Sequence, residues 1–145
     1  MAAGLSIKRK NMTPFQNHLE KVIETMTGDL KFIPSIRIDC GLDFDMITDQ
    51  LIDEFSLLQP FGQNNPEPLF CADKVDVSFS KIIGKNHRKM TLKQRNSKLK
   101  KSVNAIWFNV EEEDLHKTYF ETIAFKLRWN HWNGKKSIQA VVENA

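Results

Sequence analysis

The residues best suited to chemistry in this chain are cations gathered in one short stretch. Residues 81 to 101 carry nine lysines and arginines and no acidic residue, whereas residues 43 to 76 carry eight acidic residues and one lysine. A local cationic field favours a polyanion as partner, because each neutralised phosphate releases condensed counterions. A solvated lysine-rich loop would show the same charges, so both interpretations stay open on charge alone.

Aromatic residues beside basic ones could add base stacking to phosphate contacts if the polyanion is a nucleic acid. Lysines and arginines would follow the phosphates, and each base stacked on an aromatic ring would contribute about 1 to 3 kcal/mol. Of the three tryptophans, Trp132 is predicted to stack because it adjoins a turn, whereas Trp107 and Trp129 are predicted to be core. The predicted contacts are Lys85, His87, Arg88, Lys89, Lys93, Arg95, Trp132 and Lys135.

The remaining reactive side chains do not form a pattern that would support catalysis or metal binding. The four histidines are scattered, and the two cysteines lack the spacing of a metal site and are expected to be buried free thiols. We therefore predict no catalytic residue, no metal ligand and no small-molecule substrate. No apolar run approaches the roughly 20 residues that span a bilayer, and no secretory signal is visible, so no membrane association and a cytoplasmic location are expected.

A proline-rich stretch separates two differently patterned parts of the chain. Residues 60–70 contain three prolines, and a helix cannot continue there because proline lacks the amide donor. Residues 1–59 are predicted to form a strand, a helix from Thr13 as cap to Gly28, a second strand and a second helix. The connector residues expected to matter are Pro60, Phe61, Gly62, Asn65 and Pro66, with Phe61 and Pro66 wedged between the second helix and the second part of the chain.

After the connector, apolar residues recur at every second position, which predicts strands. Val75, Val77 and Phe79 are predicted to share one face of the first strand, and further candidates lie at 90–92, 105–110, 123–129 and 138–142. Asn133-Gly134 predicts a tight hairpin between the last two. Five short strands favour a closed antiparallel barrel of the OB type, although an SH3-like barrel would leave a similar trace. The predicted fold class is α+β.

Four motifs resemble those of the RecJ-type single-strand-specific exonucleases. Residues 60–70 are similar to the Pro-Phe-Gly-x-x-Asn-Pro-Glu-Pro-x-Phe element that precedes the OB-fold of this family. Residues 84–92 resemble its Gly-x-x-His-Leu-Lys-x-x-Leu strand, with Arg88 in place of the first leucine. Residues 104–108 resemble its Asp-Ala-Ile-x-Phe strand, with Asn in place of the Asp, and residues 130–134 resemble its closing hairpin.

The resemblance implies a division of labour within a longer enzyme. Residues 1–59 would be the C-terminal portion of a DHH-associated domain, 60–70 a connector and 71–145 an OB-fold domain that binds single-stranded DNA for 5′-to-3′ digestion in repair and recombination. The catalytic DHH domain, which uses Mn²⁺ or Mg²⁺, is not in this sequence, so this chain alone is expected to be inactive. A single-strand-binding protein is a further candidate partner.

Two other functions stay open at this point. The chain could be a stand-alone protein-interaction subunit that uses its acidic helix and exposed edges. It could also be an RNA-directed relative within the DHH superfamily, which would have to recognise the 2′-hydroxyl. The charge distribution favours nucleic acid over a protein partner.

Overall fold

A computed structural model of the chain describes residues 4–28 and 35–145, whose contacts fall into two compact units, Met1–Ile36 and Arg37–Ala145. In the first unit, a 3-10 turn at Arg9–Asn11 leads into helix α1, Met12–Thr27. Asn11, and not the predicted Thr13, is the N-cap residue. Residues 4–8, where a strand was expected to end, have no regular structure.

The second unit begins with short elements that the sequence predicted only in part. Residues 35–39 are irregular, strand β1 is Cys40–Gly41, and a 3-10 turn follows at Phe44–Met46. Helix α2, Asp49–Ser56, begins where the Thr48 side chain accepts a hydrogen bond from the Leu51 amide at 3.2 Å. Ser, Thr, Asp and Asn are favoured at this position because they satisfy an otherwise unpaired amide.

Five long strands make up most of this unit. They are β2 (Phe70–Ile83), β3 (His87–Gln94), β4 (Ser102–Trp107), β5 (Tyr119–Trp132) and β6 (Lys135–Asn144). Each overlaps one of the five predicted strand candidates. The predicted hairpin between β5 and β6 is confirmed: Asn133 and Gly134 have φ of 48° and 72°, and Trp132 pairs with Lys135.

The strands form one mixed sheet, and this corrects the prediction of five antiparallel strands. The described part of the chain has six, in the order β1-β2-β3-β4-β6-β5, and β5 also pairs with β2. The five long strands therefore form a closed ring in which each strand pairs with two others, in the order β2-β3-β4-β6-β5 and back to β2. β1 is parallel to β2, and β4 is parallel to β6, because β6 returns from the hairpin into the gap between β4 and β5.

A β-bulge in β2 changes which side chains face inward. Val77 pairs with Leu92 and Phe79 with Thr91, so Ser78 is an extra residue on the β2 side. Phe79 was predicted to share the face of Val75 and Val77, but it is 55% exposed, whereas Val75 is fully buried. The prediction is wrong because the extra residue shifts the two-residue alternation by one position.

The core lies inside the ring of strands and under α2 and the residues that precede it. Phe44, Ile47 and Ile52 are buried, and the Phe44 ring meets the Phe125 ring edge-to-face at 6.1 Å. Inward residues of all five long strands complete this cluster. Cys40 and Cys71 are free thiols. Cys40 is exposed and Cys71 is half-buried, so the expectation that both would be buried is wrong.

The connector is an ordered turn held by Asn65. The backbones of Gly62 and Asn65 bond to each other, and the Asn65 side-chain amide donates to the carbonyls of Leu58 at 2.7 Å and Pro60 at 3.1 Å. Phe61 lines the cleft between α2 and β5. Pro66 is exposed and lies outside that cleft, so of the predicted wedge pair only Phe61 borders it.

Candidate nucleic-acid interface

The outer surface of β3 and β4 carries polar and basic side chains because both strands alternate strictly. In β3 the inner positions are buried and Lys89 and Lys93 are exposed; in β4, Val103, Ala105 and Trp107 are buried. Across the two strands Lys89 pairs with Ile106, and Thr91 pairs with Asn104. We call the outward side chains of β3 and β4 the strand face.

The β5–β6 hairpin joins the strand face to form a groove. A cavity of about 620 Å³ is lined by residues from both and by Ile83 of β2, and none of them is acidic. This hairpin groove consists of Ile83, Lys89, Asn104, Ile106, Asn130, Trp132, Lys135, Lys136, Ser137 and Gln139. The groove thus brings together three of the predicted contacts, Lys89, Trp132 and Lys135.

The three tryptophans have different environments. Trp132 is 73% exposed in the hairpin groove, whereas Trp107 is buried, with 8% of its surface exposed. Trp129 is half-buried; its indole N–H donates to Asp53 at 3.1 Å, and the Lys136 ammonium lies 3.7 Å from its ring centre. Of the three, Trp132 therefore offers the uncovered ring, and the charge of Lys136 is partly engaged by the Trp129 ring and by the Asp53 carboxylate, 3.6 Å from its ammonium.

Arg88 does not belong to the interface, although it was predicted to contact phosphate. Its side chain is 1% exposed. Nε donates to the Ser80 hydroxyl at 2.8 Å, and Nη1 and Nη2 donate to the backbone carbonyls of Asp114 at 2.7 Å and Lys117 at 2.5 Å. Burial lowers the pKa of Arg88, and the nearby Asp114 carboxylate opposes that shift. Arg88 fixes residues 114–117 against β3 and is not proposed as a phosphate contact.

Lys85 and His87 lie at the start of β3. Lys85 is exposed in the turn between β2 and β3. His87 is half-buried; its ring packs edge-on against Phe108 at 5.3 Å, and its Nδ1 accepts a hydrogen bond from the Asn109 amide at 3.2 Å. Neither residue lines the hairpin groove.

Lys93 lies near the end of β3 and Arg95 directly follows it, and Arg95 is engaged by an acidic residue. Its guanidinium bonds to Asp76 through two nitrogens at 2.8 to 3.1 Å, and it lies 4.2 Å from the centre of the Tyr119 ring. The hydrogen bond from Arg95 lowers the pKa of Asp76. Lys93 is exposed but is paired in register with the same Asp76. This end of β3 is less cationic than its sequence suggests.

The loop between β3 and β4 is held by one carboxylate. Asp45 accepts hydrogen bonds from the Ser97 hydroxyl at 2.5 Å and from the amides of Lys98 at 2.8 Å and Leu99 at 3.3 Å. The Ser97 hydroxyl and these amides lower the pKa of Asp45. Nothing in the sequence indicated this contact.

Asn104, Ile106 and Gln139 line the groove but were not predicted as site residues. The alternation of β4 was a usable signal for the first two, because burying Val103, Ala105 and Trp107 forces the residues between them outward. Gln139 lies in the groove because β4 and β6 pair in parallel, which places it opposite Asn104. No local sequence pattern indicates that pairing.

Two classes of feature are absent from the described residues. Within 4–28 and 35–145, no three His, Cys, Asp or Glu side chains converge as metal ligands would. In the same ranges, every helix is too short or too polar to cross a bilayer.

Comparison with known sequences identifies relatives of the whole chain. The single-stranded-DNA-specific exonuclease RecJ of Bacillus subtilis is 28% identical over 149 residues, which cover 100% of this chain and 18% of that protein. The enzyme of the same name from Haemophilus influenzae is 29% identical over 151 residues, which cover 99% of this chain and 25% of that protein. The chain thus spans a quarter or less of the length of these relatives.

Comparison with solved structures agrees in fold. RecJ from Thermus thermophilus in complex with Mn²⁺ matches 97% of this chain and 20% of its own, with a TM-score of 0.71 and 18% identity. Its complex with Mg²⁺ matches 96% and 20%, with a TM-score of 0.63 and 18% identity. The family model of the RecJ OB domain matches residues 38–144. The resemblance inferred from the four motifs is confirmed, and the chain belongs to the RecJ OB domain family.

Proposed function

We propose that this chain binds single-stranded DNA in the hairpin groove and along the adjoining strand face, as the DNA-binding part of a RecJ-like 5′-to-3′ exonuclease. The observation that carries the proposal is the joint placement of Lys89, Lys135 and the uncovered Trp132 ring in one groove without an acidic lining residue. OB-folds bind oligonucleotides on the face of their second and third strands, which correspond to β3 and β4 here. We infer that the closed ring of β2 to β6 acts as such a barrel.

The groove supplies both kinds of contact that a single strand needs. The ammonium groups of Lys89 and Lys135 would neutralise phosphates, and Trp132 would support a base. Asn104 and Gln139 offer amide donors and acceptors beside them. Because a tryptophan face accepts any base, this arrangement favours binding with little sequence preference.

Relatives support a place for this activity in a longer enzyme. The two curated relatives are single-stranded-DNA-specific exonucleases, and solved RecJ structures hold Mn²⁺ or Mg²⁺. We propose that the first residues of the chain end a DHH-associated domain, that the unit Arg37–Ala145 is the DNA-binding domain, and that a metal-dependent domain elsewhere in the polypeptide cleaves the strand in the cytoplasm. A single-strand-binding protein remains a proposed partner.

The test is fluorescence anisotropy of a labelled oligothymidine of about 15 nucleotides with the full chain, repeated over a salt series. Lys89→Ala and Lys135→Ala should each weaken binding and flatten the slope of log K against log salt by about 0.7. Trp132→Ala should cost about 1 to 3 kcal/mol of binding free energy and leave that slope unchanged, because stacking releases no counterions.

Lys126→Ala is the matched control for lost charge. Lys126 lines a different cavity and is ion-paired with Glu143 at 2.7 Å, so its removal should change the slope less than either groove variant. Equal effects of all three lysines would mean that binding is not localised to the groove. No binding of wild type at low salt would reject the proposal, and preference for a matched oligouridine would redirect it to RNA.

A further inference from the structure

We infer that Phe79 is a second base-stacking platform, placed on the outer surface of β2 by the bulge at Ser78. The inference rests on the proposed function, because it extends the path of the same strand of DNA. Phe79 is 55% exposed in the middle of a strand, whereas the phenylalanines of β5, Phe120 and Phe125, are buried. The two-residue alternation that begins at Val75 would have turned Phe79 inward.

The bulge turns Phe79 outward and interrupts the regular pairing of β2 with β3. Ser78 is unpaired in register between Val77 and Phe79, and its hydroxyl donates to the Thr91 carbonyl at 3.0 Å. Beyond it, Ser80 and Ile82 pair with the inward Met90 and Arg88. Bulges often re-aim a side chain beside a binding site, and here the result is an aromatic ring in contact with water.

The position of Phe79 connects it to the hairpin groove. Its register partner is Thr91, which pairs with Asn104, which in turn pairs with Gln139. This row of neighbours runs over β2, β3, β4 and β6, and its last two members line the groove. With strands about 4.8 Å apart, the row is about 14 Å wide.

Cations flank this row. Lys81 follows Phe79 two residues later on the same face and pairs in register with Lys89, and both are exposed. Lys93 lies two residues beyond Thr91 on β3 and is also exposed. The other side of Phe79 borders a groove formed with Leu115 and Thr118. An aromatic ring between cations is the combination that proteins use to hold a base and its phosphates.

The bound strand would therefore cross β2, β3 and β4 from Phe79 towards Trp132. A base would stack at each end, and Lys81 and Lys89 would meet the phosphates between them. The two rings lie on different strands, so a very short oligonucleotide could use one of them but not both.

The experiment compares Phe79→Ala with Ile82→Ala, its control on the opposite face of the same strand, using the full chain and the oligothymidine anisotropy assay. Phe79→Ala should weaken binding at least about fivefold and leave the salt slope unchanged, because about 1 kcal/mol of stacking corresponds to that factor. Ile82→Ala and the aromatic replacement Phe79→Tyr should each stay within about twofold of wild type. Circular dichroism would verify that each variant is folded.

A second measurement reads the contact directly. In a Phe79→Trp variant that also carries Trp132→Phe, tryptophan emission should be quenched on adding the oligothymidine, whereas Trp132→Phe alone should show less quenching. Wild-type affinity of Phe79→Ala together with weakened Trp132→Ala would overturn this inference and leave the proposed function intact. Absence of binding by wild type would overturn both.

Discussion

At the scale of single residues, Arg88 shows why a charge count overstates a binding surface. It lies among eight other cations in residues 81–101, and its sequence neighbours Lys85 and Lys89 are exposed. Strand alternation places it inward, between the outward His87 and Lys89. A guanidinium can occupy such a site because three of its nitrogens find oxygen partners there.

Replacing Arg88 therefore tests stability and not phosphate binding. Arg88→Met leaves the carbonyls of Asp114 and Lys117 without their donors, and we expect the free energy of unfolding in urea to fall by about 1 to 3 kcal/mol. Arg37→Met, at an exposed position, is the control and should change it by less than about 0.5 kcal/mol.

The salt dependence of DNA binding separates the two roles of Arg88. Under conditions where the Arg88→Met variant is folded, its slope of log K against log salt should equal that of wild type. A slope flatter by about 0.7 would instead show that Arg88 neutralises a phosphate, as the sequence had suggested.

Other residues mark the limit of what sequence alone could predict at this scale. Trp132 is exposed and Trp107 is buried, and the Asn-Gly turn beside Trp132 is a local signal for this difference, whereas the stacking of Trp132 on a base stays a prediction. Phe79 was wrongly placed, because one extra residue in β2 inverts the alternation without any marked change in composition. Lys89 and Lys93 carry the same charge, but in the β2–β3 pairing Lys93 lies opposite the acidic Asp76, whereas Lys89 lies opposite Lys81.

At the scale of elements, local patterns predicted the strands and non-local pairings escaped prediction. Each long strand and the β5–β6 hairpin have signals within about ten residues of sequence. The parallel pair of β4 and β6 depends on a contact between residues 104–107 and 139–142, and β1 is only two residues long. Alternation does not specify a neighbour, so strand positions were predictable and strand order was not.

The β3–β4 loop provides a prediction at the same scale. Asp45 holds this loop as a carboxylate, and its folded-state pKa is lowered, chiefly by the Ser97 hydroxyl. Because the folded-state pKa of Asp45 is lowered, the stabilisation of the loop by its carboxylate is complete above the ordinary pKa of 3.8. That stabilisation is lost as the pH falls through the lowered pKa. Amide protection of Lys98 and Leu99 in hydrogen exchange should therefore decline below about pH 4.

Asp45→Asn should reduce the protection of the same two amides at neutral pH, because a neutral amide oxygen is a weaker acceptor than a carboxylate. Gln50→Ala, on the exposed side of α2, is the control and should leave both amides unchanged. Retained protection in Asp45→Asn would show that the loop is ordered by other contacts.

At the scale of the whole molecule, the buried core belongs to one of the two compact units. Within the described ranges, every buried hydrophobic residue lies between Leu42 and Val142, and α1 has no buried residue. In α1, Leu19, Val22, Ile23 and Met26 are 38 to 80% exposed. An apolar stripe of this kind promotes association between chains.

Removing residues 1–36 should therefore leave the fold of residues 37–145 intact. We expect the midpoint of thermal unfolding to change by less than about 4 °C and concentration-dependent self-association in analytical ultracentrifugation to decrease. A larger fall in the midpoint would show that the first unit contributes to the stability of the second.

The position of β6 also has a consequence for how the chain acquires its structure. β6 fills the gap between β4 and β5, and it is synthesised after both. Until β6 has left the ribosome, β4 and β5 each present an unpaired backbone edge, and such edges are prone to intermolecular pairing. The nascent polypeptide is therefore most vulnerable to aggregation in the interval between the synthesis of β4 and that of β6, and chaperone binding in that interval would protect it most.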